Sequence, residues 1–380
     1  MTQRKASGGR QKLLFVLPTL NRAGAQQVVV ELVRGLDPSR YAPAVCCLLG
    51  MGDFEDELRE RGVDLHLLRP AGFKDVRWPV RLSATIRRIG ADLVSSHFYP
   101  FDLWAVAGAR LAGVPIVVTR HTTYLEPVLP RPLEWASVKL ATATVAVSRS
   151  VSDFMIRERG IAADQVRVIT NGVDGGRFAA DPSEREAVRA QLGYAPKHLV
   201  VGTVANLHRG TKGYGVLLDA IPEVVRAHPN ARFLWIGRDV DGYAETLTAK
   251  ARELGVAEHL RLAGRRDDVA RLLSAMDLFV LPSTFEGLGI VLIEAMISGL
   301  AVVASDVGGI PEVVADGETG LLATAGDSGA FARAICALLG SRERAREMGR
   351  AGRERARDRF DVAAMVAAYD ALFTSIGRAV

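Results

Sequence analysis

The sequence predicts an α/β fold made of two Rossmann-like, doubly wound domains. Short apolar runs alternate with segments of helical period almost throughout the 380 residues, and this order of elements builds parallel sheets. The runs are apolar at consecutive positions, as expected for strands that helices cover on both faces. The length suits two domains of roughly 180 residues each better than a single core.

Seven apolar runs in the first half of the chain are predicted to be buried strands. They are 12–20, 42–50, 63–69, 91–98, 114–121, 142–148 and 166–174. Most intervals between them have an amphipathic helical pattern, and these helices are predicted over 25–36, 54–61, 77–89, 101–112 and 150–159. The repetition makes 12–178 one N-terminal domain, preceded by a disordered tail over 1–11.

The alternation stops at the polar, helix-prone segment DPSEREAVRAQLGYAPKH and then restarts. We therefore place the domain boundary between residues 178 and 179, with a second domain over 179–360. Its predicted strands are 199–207, 231–237, 260–264, 278–283 and 301–305. Arginine-rich helices are predicted over 327–357, and a C-terminal helix over 361–380 can cross back to the N-terminal domain.

The composition is that of an ordinary globular protein, with 49% hydrophobic and 24% charged residues. No run approaches the roughly 20 apolar residues of a membrane-spanning helix, and the N-terminal LLFVLP is too short for a signal peptide. Cys46, Cys47 and Cys336 have neither metal-ligand spacing nor the spacing of a disulfide framework. This predicts reduced thiols in a cytoplasmic protein.

Positive charge is concentrated in the first half of the chain. Residues 1–178 contain 24 Lys and Arg against 17 Asp and Glu, a net charge of +7, whereas the remainder has a net charge of −2. The basic half indicates an anionic partner, such as a membrane surface or a phosphate-bearing substrate. Alternatively, it reflects an arginine-rich composition that serves no specific partner.

One basic stretch, KDVRWPVRLSATIRRIG at 74–90, interleaves apolar and basic side chains. These are Trp78, Val80, Leu82, Ile86 and Ile89 with Lys74, Arg77, Arg81, Arg87 and Arg88. The stretch is predicted either to lie as a helix in the interface of an anionic bilayer or to pack its apolar residues on the sheet.

A strand-to-helix turn containing an acid lies in STFEGLGIVLIEAMISG. The run LFVLPS is read as a strand and GIVLIEAMISG as a helix, so Glu286 and the Gly-Leu-Gly after it form the turn. Glycines let the backbone approach a ligand, and the first helical N–H groups point outward at the positive end of the dipole. Glu286 and Glu294 therefore flank an anion site. Alternatively, Glu286 caps the helix and Glu294 lies on its solvated face.

A ligand that matches two such acids has hydroxyl groups at both ends and phosphate between them, which describes a nucleotide sugar. Carboxylates accept strongly from vicinal hydroxyls. A second strand-to-helix turn, in VGTVANLHRGTKG at 201–213, contains Arg209 and Lys212. Two cations there can neutralise a diphosphate.

The first domain has candidate residues at the ends of its predicted strands. Gly24, in PTLNRAGAQQ after the first strand, opens a helix and lets the backbone approach a ligand. His121 ends the strand VPIVVTRH, at the carboxyl edge where ligands of this architecture bind. His97, at the end of ADLVSSH, competes with His121 for a functional role.

Taken in order, these motifs resemble those of the retaining glycosyltransferases of family four, which have the GT-B fold and include bacterial mannosyl- and glucosyltransferases. The hallmark is Glu, seven residues, Glu, which fits Glu286 to Glu294. The matching segments, over about residues 12–325, also include the turn at Gly24, ITNGVD, VANLHRGTKG, LAGRRDDV, VASDVGGIPEVV and DGETGLL. The chain departs from the family in RAGAQQ, where Ala23 and Gln26 replace a second glycine and an acid.

The resemblance implies that a sugar passes from a UDP- or GDP-linked donor to an acceptor hydroxyl with retention of anomeric configuration. No metal cofactor is implied, consistent with the absence of an Asp-x-Asp metal motif in a suitable loop. The leaving phosphate is implied to act as the base. The implied donor-binding residues are Gly24, Arg209, Lys212, Arg265, Glu286, Gly287, Leu288, Gly289, Ile290 and Glu294.

Individual roles also follow from the resemblance. Arg209 and Lys212 would hold the diphosphate and stabilise its developing charge. The amides from Gly287 to Ile290 would bind the distal phosphate. Glu286 would hold the transferred sugar, Glu294 the ribose, and His121 would orient sugar or acceptor beside the reacting centre.

The implied setting is bacterial envelope or exopolysaccharide assembly, in a cytoplasmic enzyme peripheral on the inner face of the plasma membrane. Its partners would be the donor and a lipid-linked or saccharide acceptor, with no nucleic acid. Three rivals remain at this stage. A glycosidase needs two carboxylates facing each other at roughly 5–10 Å. The others are a nucleotide-sugar epimerase or hydrolase and a non-catalytic membrane-surface protein.

Overall fold

The computed structural model describes residues 9–69, 75, 77–97, 99, 101–122, 131–179 and 181–377, without the side chains of residues 131, 134 and 182. The chain divides into two compact units. One consists of Met1–Gly172 with Val362–Val380, and the other is Val173–Asp361. The tail predicted over 1–11 lies outside the described residues as far as residue 8, and Gln11 already belongs to the first strand.

The first unit is built on a seven-stranded parallel sheet in the order β3-β2-β1-β4-β5-β6-β7. Its inner strands β1, β4 and β5 are buried except at the first two residues of β1, and most of their side chains are apolar on both faces. β7 had been predicted as buried, but it lies at the sheet edge, and Val168 on it is 43% exposed. The strands are β1 Gln11–Leu17, β2 Tyr41–Cys47, β3 Asp64–Leu67, β4 Leu93–Ser96, β5 Ile116–Arg120, β6 Ala143–Ala146 and β7 Val166–Val168.

Helices of the first unit cover this sheet. The pattern had predicted each of them except α5, which the sequence analysis did not assign. The helices are α1 Gly24–Gly35, α2 Glu55–Glu60, α3 Trp78–Ile89, α4 Asp102–Ala112, α5 Arg131–Lys139 and α6 Arg149–Arg157.

α3 is the helix for which a bilayer interface had been considered. Trp78, Leu82 and Ile86 are fully buried in a core that they share with β1, β4 and α4. These side chains therefore cannot dip into a bilayer, and the alternative in which α3 packs on the sheet is correct. Among its apolar side chains Val80 is 62% exposed, and Lys74 lies outside the described residues.

The second unit has a six-stranded parallel sheet in the order β10-β9-β8-β11-β12-β13. β13 was missed because it is a short, half-buried strand at the sheet edge. The strands are β8 Leu199–Val204, β9 Ala231–Ile236, β10 Leu260–Leu262, β11 Leu278–Leu281, β12 Ala301–Ser305 and β13 Gly320–Ala323. The helices are α7 Arg185–Gln191, α8 Tyr214–Ala227, α9 Tyr243–Glu253, α10 Val269–Leu273, α11 Ile290–Ile297, α12 Ile310–Val313, α13 Ser328–Leu339 and α14 Arg342–Arg359.

The last helix, α15 (Val362–Gly377), belongs to the first unit although it follows the second in sequence. Phe373 packs against Phe15 of β1 with ring centroids 6.5 Å apart. Asp370 accepts a hydrogen bond of 2.6 Å from the Tyr41 hydroxyl and forms a 2.8 Å ion pair with Arg40. Apolar packing and a charged contact thus fix the helix on the β1–β2 side of the sheet. Among the described residues, no helix is long and apolar enough to span a membrane.

Candidate active site

An ion pair occupies the carboxyl end of the second sheet. Lys212 lies in the turn between β8 and α8, and Glu286 lies in the turn between β11 and α11. Because β8 and β11 are neighbouring strands, the two turns meet, and Lys212 Nζ lies 2.5 Å from Glu286 Oε1. Ser283 Oγ donates to the same carboxylate oxygen at 2.9 Å. The structure thus brings together two residues that the sequence analysis placed in separate motifs.

Close backbone contacts hold these two turns together. Gly213 has a φ of +66°, and a Cβ there would lie 1.8 Å from the carbonyl oxygen of Pro282. The amide of Thr284 donates to the carbonyl of Thr211 at 2.8 Å. Any larger residue at position 213 would push the two turns apart and move the ion pair.

The turn of Glu286 is also supported from its other side, by the loop after β12. A Cβ on Gly308 would lie 1.9 Å from the Glu286 carbonyl oxygen, and one on Gly309 would lie 2.1 Å from the Gly287 carbonyl oxygen. The Gly309 amide also donates to the Glu286 carbonyl at 3.2 Å. The paired glycines of the VGGIPEVV motif therefore have a structural explanation, since side chains at both positions would displace the Glu286 turn.

α11 begins immediately after this turn. Gly289 adopts a left-handed conformation, with a φ of +86°, directly before Ile290, and no side chain caps the helix. The amino end of a helix carries partial positive charge and N–H groups that no carbonyl of the helix accepts, so it suits a phosphate. Leu288 is 2% exposed, so it can offer a ligand main-chain groups only. Glu294 is partly buried in the second turn of α11.

The two predicted arginines are exposed and directed to other groups. Arg209 Nη2 donates to Thr246 Oγ1 of α9 at 3.0 Å, and its guanidinium carbon lies 5.7 Å from the centre of the Tyr243 ring. Arg265 forms a 3.2 Å ion pair with Asp267. The guanidinium of Arg209 thus points to α9 rather than to Glu286, although Arg209 and Lys212 share one turn.

Asp239, Val240 and Asp241 between β9 and α9 have the Asp-x-Asp spacing of some metal-dependent transferases. In the structure the carboxylate of Asp239 accepts from the amides of Tyr243 and Ala244 at 2.8 and 3.4 Å. Asp239 therefore satisfies the amino end of α9. Within the described residues, no three His, Cys, Asp or Glu side chains form a group that could hold a metal.

In the first unit, Gly24 is the first residue of α1, as predicted. The turn before it is supported by the segment MGDF, which the sequence analysis did not identify. Asp53 accepts from the Arg22 amide at 2.9 Å, and a Cβ on Gly52 would lie 2.4 Å from the Asn21 amide nitrogen. A Gly-Asp pair thus fixes the loop that leads to Gly24.

Two histidines that the sequence analysis treated as competitors are hydrogen-bonded partners. His97 follows β4 and His121 follows the neighbouring β5. His97 Nδ1 lies 3.2 Å from His121 Nε2, and His97 Nε2 lies 2.9 Å from Ser95 Oγ. Burial lowers the pKa of His121 to about 3, and burial and the neighbouring His121 lower that of His97 well below its ordinary value. The pair is therefore neutral at physiological pH.

Aromatic rings and a buried ion pair hold these histidines in place. The His97 ring packs between Phe15 and Tyr369 of α15, with centroid distances of 5.9 and 6.2 Å. Arg120, directly before His121, forms a 2.7 Å ion pair with the fully buried Asp102 at the start of α4. The position of His121 is thus fixed from two sides. Neither Tyr369 nor Asp102 lies in a motif that the sequence analysis singled out.

The two parallel Rossmann-like sheets, of seven and six strands, have the architecture of the GT-B fold. Residues 22–177 match the family model described as Glycosyltransferase Family 4, and residues 198–341 match the model described as Glycosyl transferases group 1. The chain belongs to glycosyltransferase family 4. It is a nucleotide-sugar-dependent, retaining glycosyltransferase, so the predicted family, fold and activity are confirmed.

Two curated relatives illustrate the similarity. The alpha-maltose-1-phosphate synthase of Mycolicibacterium smegmatis is 36% identical over 297 residues, which cover 71% of this chain and 75% of the relative. The D-inositol 3-phosphate glycosyltransferase of Segniliparus rotundus is 35% identical over 280 residues, or 69% of this chain and 61% of the relative.

Solved structures share the fold. Anabaena HepE, in complex with UDP and glucose, superposes with a TM-score of 0.85 at 24% identity, over 96% of this chain and all of HepE. Sucrose-phosphate synthase from Thermosynechococcus elongatus superposes with a TM-score of 0.82 at 21% identity, over 98% of this chain and all of the synthase.

Proposed function

We propose that the enzyme transfers a hexose from a UDP-linked donor to a saccharide or lipid-linked hydroxyl, and that the Lys212–Glu286 pair forms the core of the donor site. Lys212, with Arg209 and the first amides of α11, binds the diphosphate. Glu286 accepts from hydroxyls of the transferred sugar, and Glu294 accepts from the ribose. His121 orients the acceptor hydroxyl.

The observation that carries this proposal is the 2.5 Å contact between Lys212 Nζ and Glu286 Oε1 beside the amino end of α11. Without donor, the two charges neutralise each other. A bound diphosphate attracts the ammonium more strongly than one carboxylate does, because it carries more negative charge. Lys212 then turns to phosphate, and Glu286, still held by Ser283 Oγ, becomes available to the sugar hydroxyls.

The same residues stabilise the charge that develops during the reaction. The bond between the anomeric carbon and the diphosphate oxygen breaks, and a bond to the acceptor oxygen forms on the same face of the sugar. The acceptor proton passes to the departing phosphate oxygen, so no protein base is required. Lys212 and the amides at Gly289 and Ile290 stabilise the charge that grows on the diphosphate, which is the largest contribution such groups make to catalysis.

Arg209 joins this arrangement only after it leaves α9. Its guanidinium is held by Thr246 Oγ1 and lies over Tyr243, both weak, exposed contacts. With a diphosphate between the two basic side chains of the turn, Arg209 exchanges a hydrogen bond to a neutral hydroxyl for one to an anionic oxygen, which is stronger. We expect Arg209 to contribute less than Lys212 to diphosphate binding, because its guanidinium must first leave Thr246 of α9.

The choice of uridine rests on the structural neighbours, since HepE is described in complexes with UDP and with UDP-glucose. A guanosine donor is the alternative. A mannosyltransferase from Mycolicibacterium smegmatis that is 38% identical over 49% of this chain is described as GDP-mannose-dependent.

A thermal-shift screen tests the proposal. UDP-glucose, UDP-galactose, UDP-N-acetylglucosamine and GDP-mannose are each added to wild type, to Lys212→Ala and to Lys250→Ala. Lys250 is the matched control, since it also forms an ion pair in the second unit, with Asp219 at 2.6 Å. A ligand at a hundred times its Kd stabilises by about 2.7 kcal/mol.

We expect one UDP-sugar to raise the Tm of wild type and Lys250→Ala, and to have little effect on Lys212→Ala. Stabilisation by GDP-mannose alone would contradict the choice of base. Equal stabilisation of all three proteins would contradict the assignment of Lys212.

A further inference from the structure

Three hydrogen-bonded side chains form a chain at the carboxyl end of the first sheet. Ser95 lies in β4 and His97 follows the strand, and side chains two residues apart on an extended strand point to the same face. Ser95 Oγ lies 2.9 Å from His97 Nε2, and His97 Nδ1 lies 3.2 Å from His121 Nε2. These three residues are hereafter called the Ser95–His97–His121 chain, and both ring nitrogens of its central member have partners.

Burial decreases along this chain. Ser95 is 1% exposed and His97 is fully buried, whereas His121 is partly exposed. Over the described ranges, no hydrogen-bond partner contacts His121 Nδ1. His121 Nδ1 is therefore the end of the chain that remains available to a ligand.

The orientation of the His97 ring is fixed by its contacts. A half-turn of the ring would place a carbon atom where each nitrogen now lies, and both hydrogen bonds would be lost. Phe15 and Tyr369 pack against the ring with centroid distances of 5.9 and 6.2 Å. The ring nitrogens of His97 thus connect Ser95 to His121 in one geometry only.

The protons of the chain can be arranged in two directions. Burial lowers the pKa of both histidines, so each ring carries one proton at neutral pH. In one direction Ser95 donates to His97 Nε2 and His97 Nδ1 donates to His121 Nε2, which leaves the proton of His121 on Nδ1. In the other direction every donor becomes an acceptor, and His121 Nδ1 carries no proton.

The hydroxyl of Ser95 distinguishes these directions. Among the residues that the structure describes, His97 Nε2 is the only hydrogen-bond partner of Ser95 Oγ. If His97 Nε2 donated to this oxygen, the hydroxyl proton would be buried without an acceptor. The cost of such an unsatisfied donor corresponds to a preference of at least about fivefold for the direction in which Ser95 donates.

We infer that Ser95 and His97 are positioning residues that hold His121 in the tautomer protonated on Nδ1, so that His121 acts toward its ligand as a hydrogen-bond donor. The tautomer follows from the contacts of the Ser95–His97–His121 chain alone. Only its consequence for sugar transfer rests on the proposed function, in which His121 orients the acceptor hydroxyl.

In that reaction the tautomer determines where the hydroxyl proton points. The acceptor oxygen uses one lone pair to form the bond to the anomeric carbon and accepts from His121 Nδ1–H with the other. Its own proton passes to the departing phosphate oxygen, while His121 neither gains nor loses a proton. An unprotonated Nδ1 would instead accept a hydrogen bond from the hydroxyl and turn its proton away from the phosphate.

Nuclear magnetic resonance of the free protein tests the tautomer. Long-range ¹H–¹⁵N correlation of the protein with ¹⁵N-labelled histidine shows which ring nitrogen carries the proton, and single His→Gln variants assign the signals. His198 is an internal reference, because the Ala195 amide donates to its Nδ1 at 3.0 Å and its proton must lie on Nε2. We expect His97 and His121 to be protonated on Nδ1, the opposite of His198 in the same spectrum.

Substitutions of serine test the role of Ser95. In Ser95→Ala either direction leaves His97 Nε2 without a partner, so we expect the fraction of His121 protonated on Nε2 to rise by about fivefold or more. Ser95→Thr keeps the hydroxyl and should keep the wild-type pattern. Ser83→Ala removes another buried hydroxyl of the same unit, on α3, and should leave the histidine signals unchanged.

Two outcomes would overturn the inference. In wild type, a proton on His121 Nε2 would show that the chain runs in the other direction, and this spectrum decides even if Ser95→Ala does not fold. An unchanged tautomer in folded Ser95→Ala would show that Ser95 does not select it. Calorimetric titration of UDP into the same samples keeps the proposed function separate, because either outcome with intact UDP binding refutes the positioning role and leaves the donor site of Lys212 standing.

Discussion

At the carboxyl end of the first sheet the central polar side chains are two neutral histidines, whereas at the same end of the second sheet they are a lysine and a glutamate. The strands are parallel and the turns similar in both units, yet the chemistry differs. His97, which is buried, and His121, which is partly exposed, share one hydrogen bond. Lys212 and Glu286 form a partly exposed ion pair. Neutral donors and acceptors suit a hydroxyl group, and separable charges suit a diphosphate.

The two sites also differ in how they can respond to a ligand. The histidine pair is held by aromatic rings and by a buried ion pair through the adjacent Arg120, so it presents a fixed geometry. The lysine and glutamate are held mainly by each other, and each can exchange its partner for part of a ligand. On the proposed function, the histidine pair would orient a bound group, and Lys212 and Glu286 would neutralise each other until the donor binds.

Removing the cations should have the largest effect. We expect Lys212→Ala to lower kcat/KM by on the order of 10²-fold or more, because the leaving diphosphate loses its nearest charge. Arg209→Ala should lower kcat/KM by a smaller factor, because the Arg209 guanidinium must first leave Thr246 of α9 before it can reach the diphosphate. The measurement is steady-state kinetics with the donor found in the screen. Near-wild-type turnover of both variants would mean that the diphosphate binds elsewhere.

Substitutions of the two glutamates should affect turnover and nucleotide binding differently. Glu294→Ala should weaken UDP binding by about tenfold with a smaller change in kcat, since a ribose contact acts equally in ground and transition states. Glu286→Ala should mainly lower kcat. Isothermal calorimetry with UDP, together with kcat for each variant, checks this. If both variants have the same UDP affinity, the assignment of Glu286 to the sugar and of Glu294 to the ribose is wrong.

The histidine pair should make stability depend on pH. In the unfolded chain a histidine binds a proton below about pH 6.5, whereas burial lowers the pKa of folded His121 to about 3 and that of His97 well below its ordinary value. The unfolded state thus binds more protons between these values, and stability falls as the pH drops below 6.5. Each histidine should remove about 1 kcal/mol between pH 6.5 and 5.5.

Urea denaturation at pH 6.5 and 5.5 measures this effect. His97→Gln should reduce the loss of stability by about the contribution of one histidine. If wild type is equally stable at both pH values, the histidines are not buried in neutral form.

Chelation should have the smallest effect. The proposed chemistry assigns charge stabilisation to Lys212 and to helix amides, and Asp239 is occupied as a cap of α9. We expect excess EDTA to leave the transfer rate within about twofold, whereas an essential metal would lose its catalytic role on removal. Loss of activity that Mg²⁺ or Mn²⁺ restores would show that the leaving group is stabilised by a metal.

Periodicity was sufficient to predict most of the fold. Buried parallel strands have apolar residues on both faces, and this pattern is local in the sequence. The sequence analysis missed β13 and α5 because neither has the spacing of apolar residues that is expected for its type of element. β13 has only four residues, half of them partly exposed. α5 buries Ser137 and Val138 but exposes Leu133 and Trp135, so it lacks a single apolar stripe facing the core.

Within the site, motifs predicted residues, whereas the structure provided their partners. Both Lys212 and Glu286 were predicted, but their contact depends on β8 pairing with β11, which no local pattern reveals. The same holds for His97 and His121, whose partnership requires the pairing of β4 with β5. Strand order is a property of the whole sheet and is not visible in a local motif. The sequence analysis therefore treated His97 and His121 as alternative candidates rather than as partners.

The central claim is that Lys212 at the end of β8 binds the donor diphosphate. Calorimetric titration of UDP into wild type, Lys212→Ala and Lys250→Ala tests it directly, because both lysines form ion pairs of similar length in the same unit. We predict that Lys212→Ala weakens UDP binding by at least about tenfold, as expected for a lost charge-assisted hydrogen bond, while Lys250→Ala stays within about twofold. Equal UDP affinity in all three proteins would contradict the account.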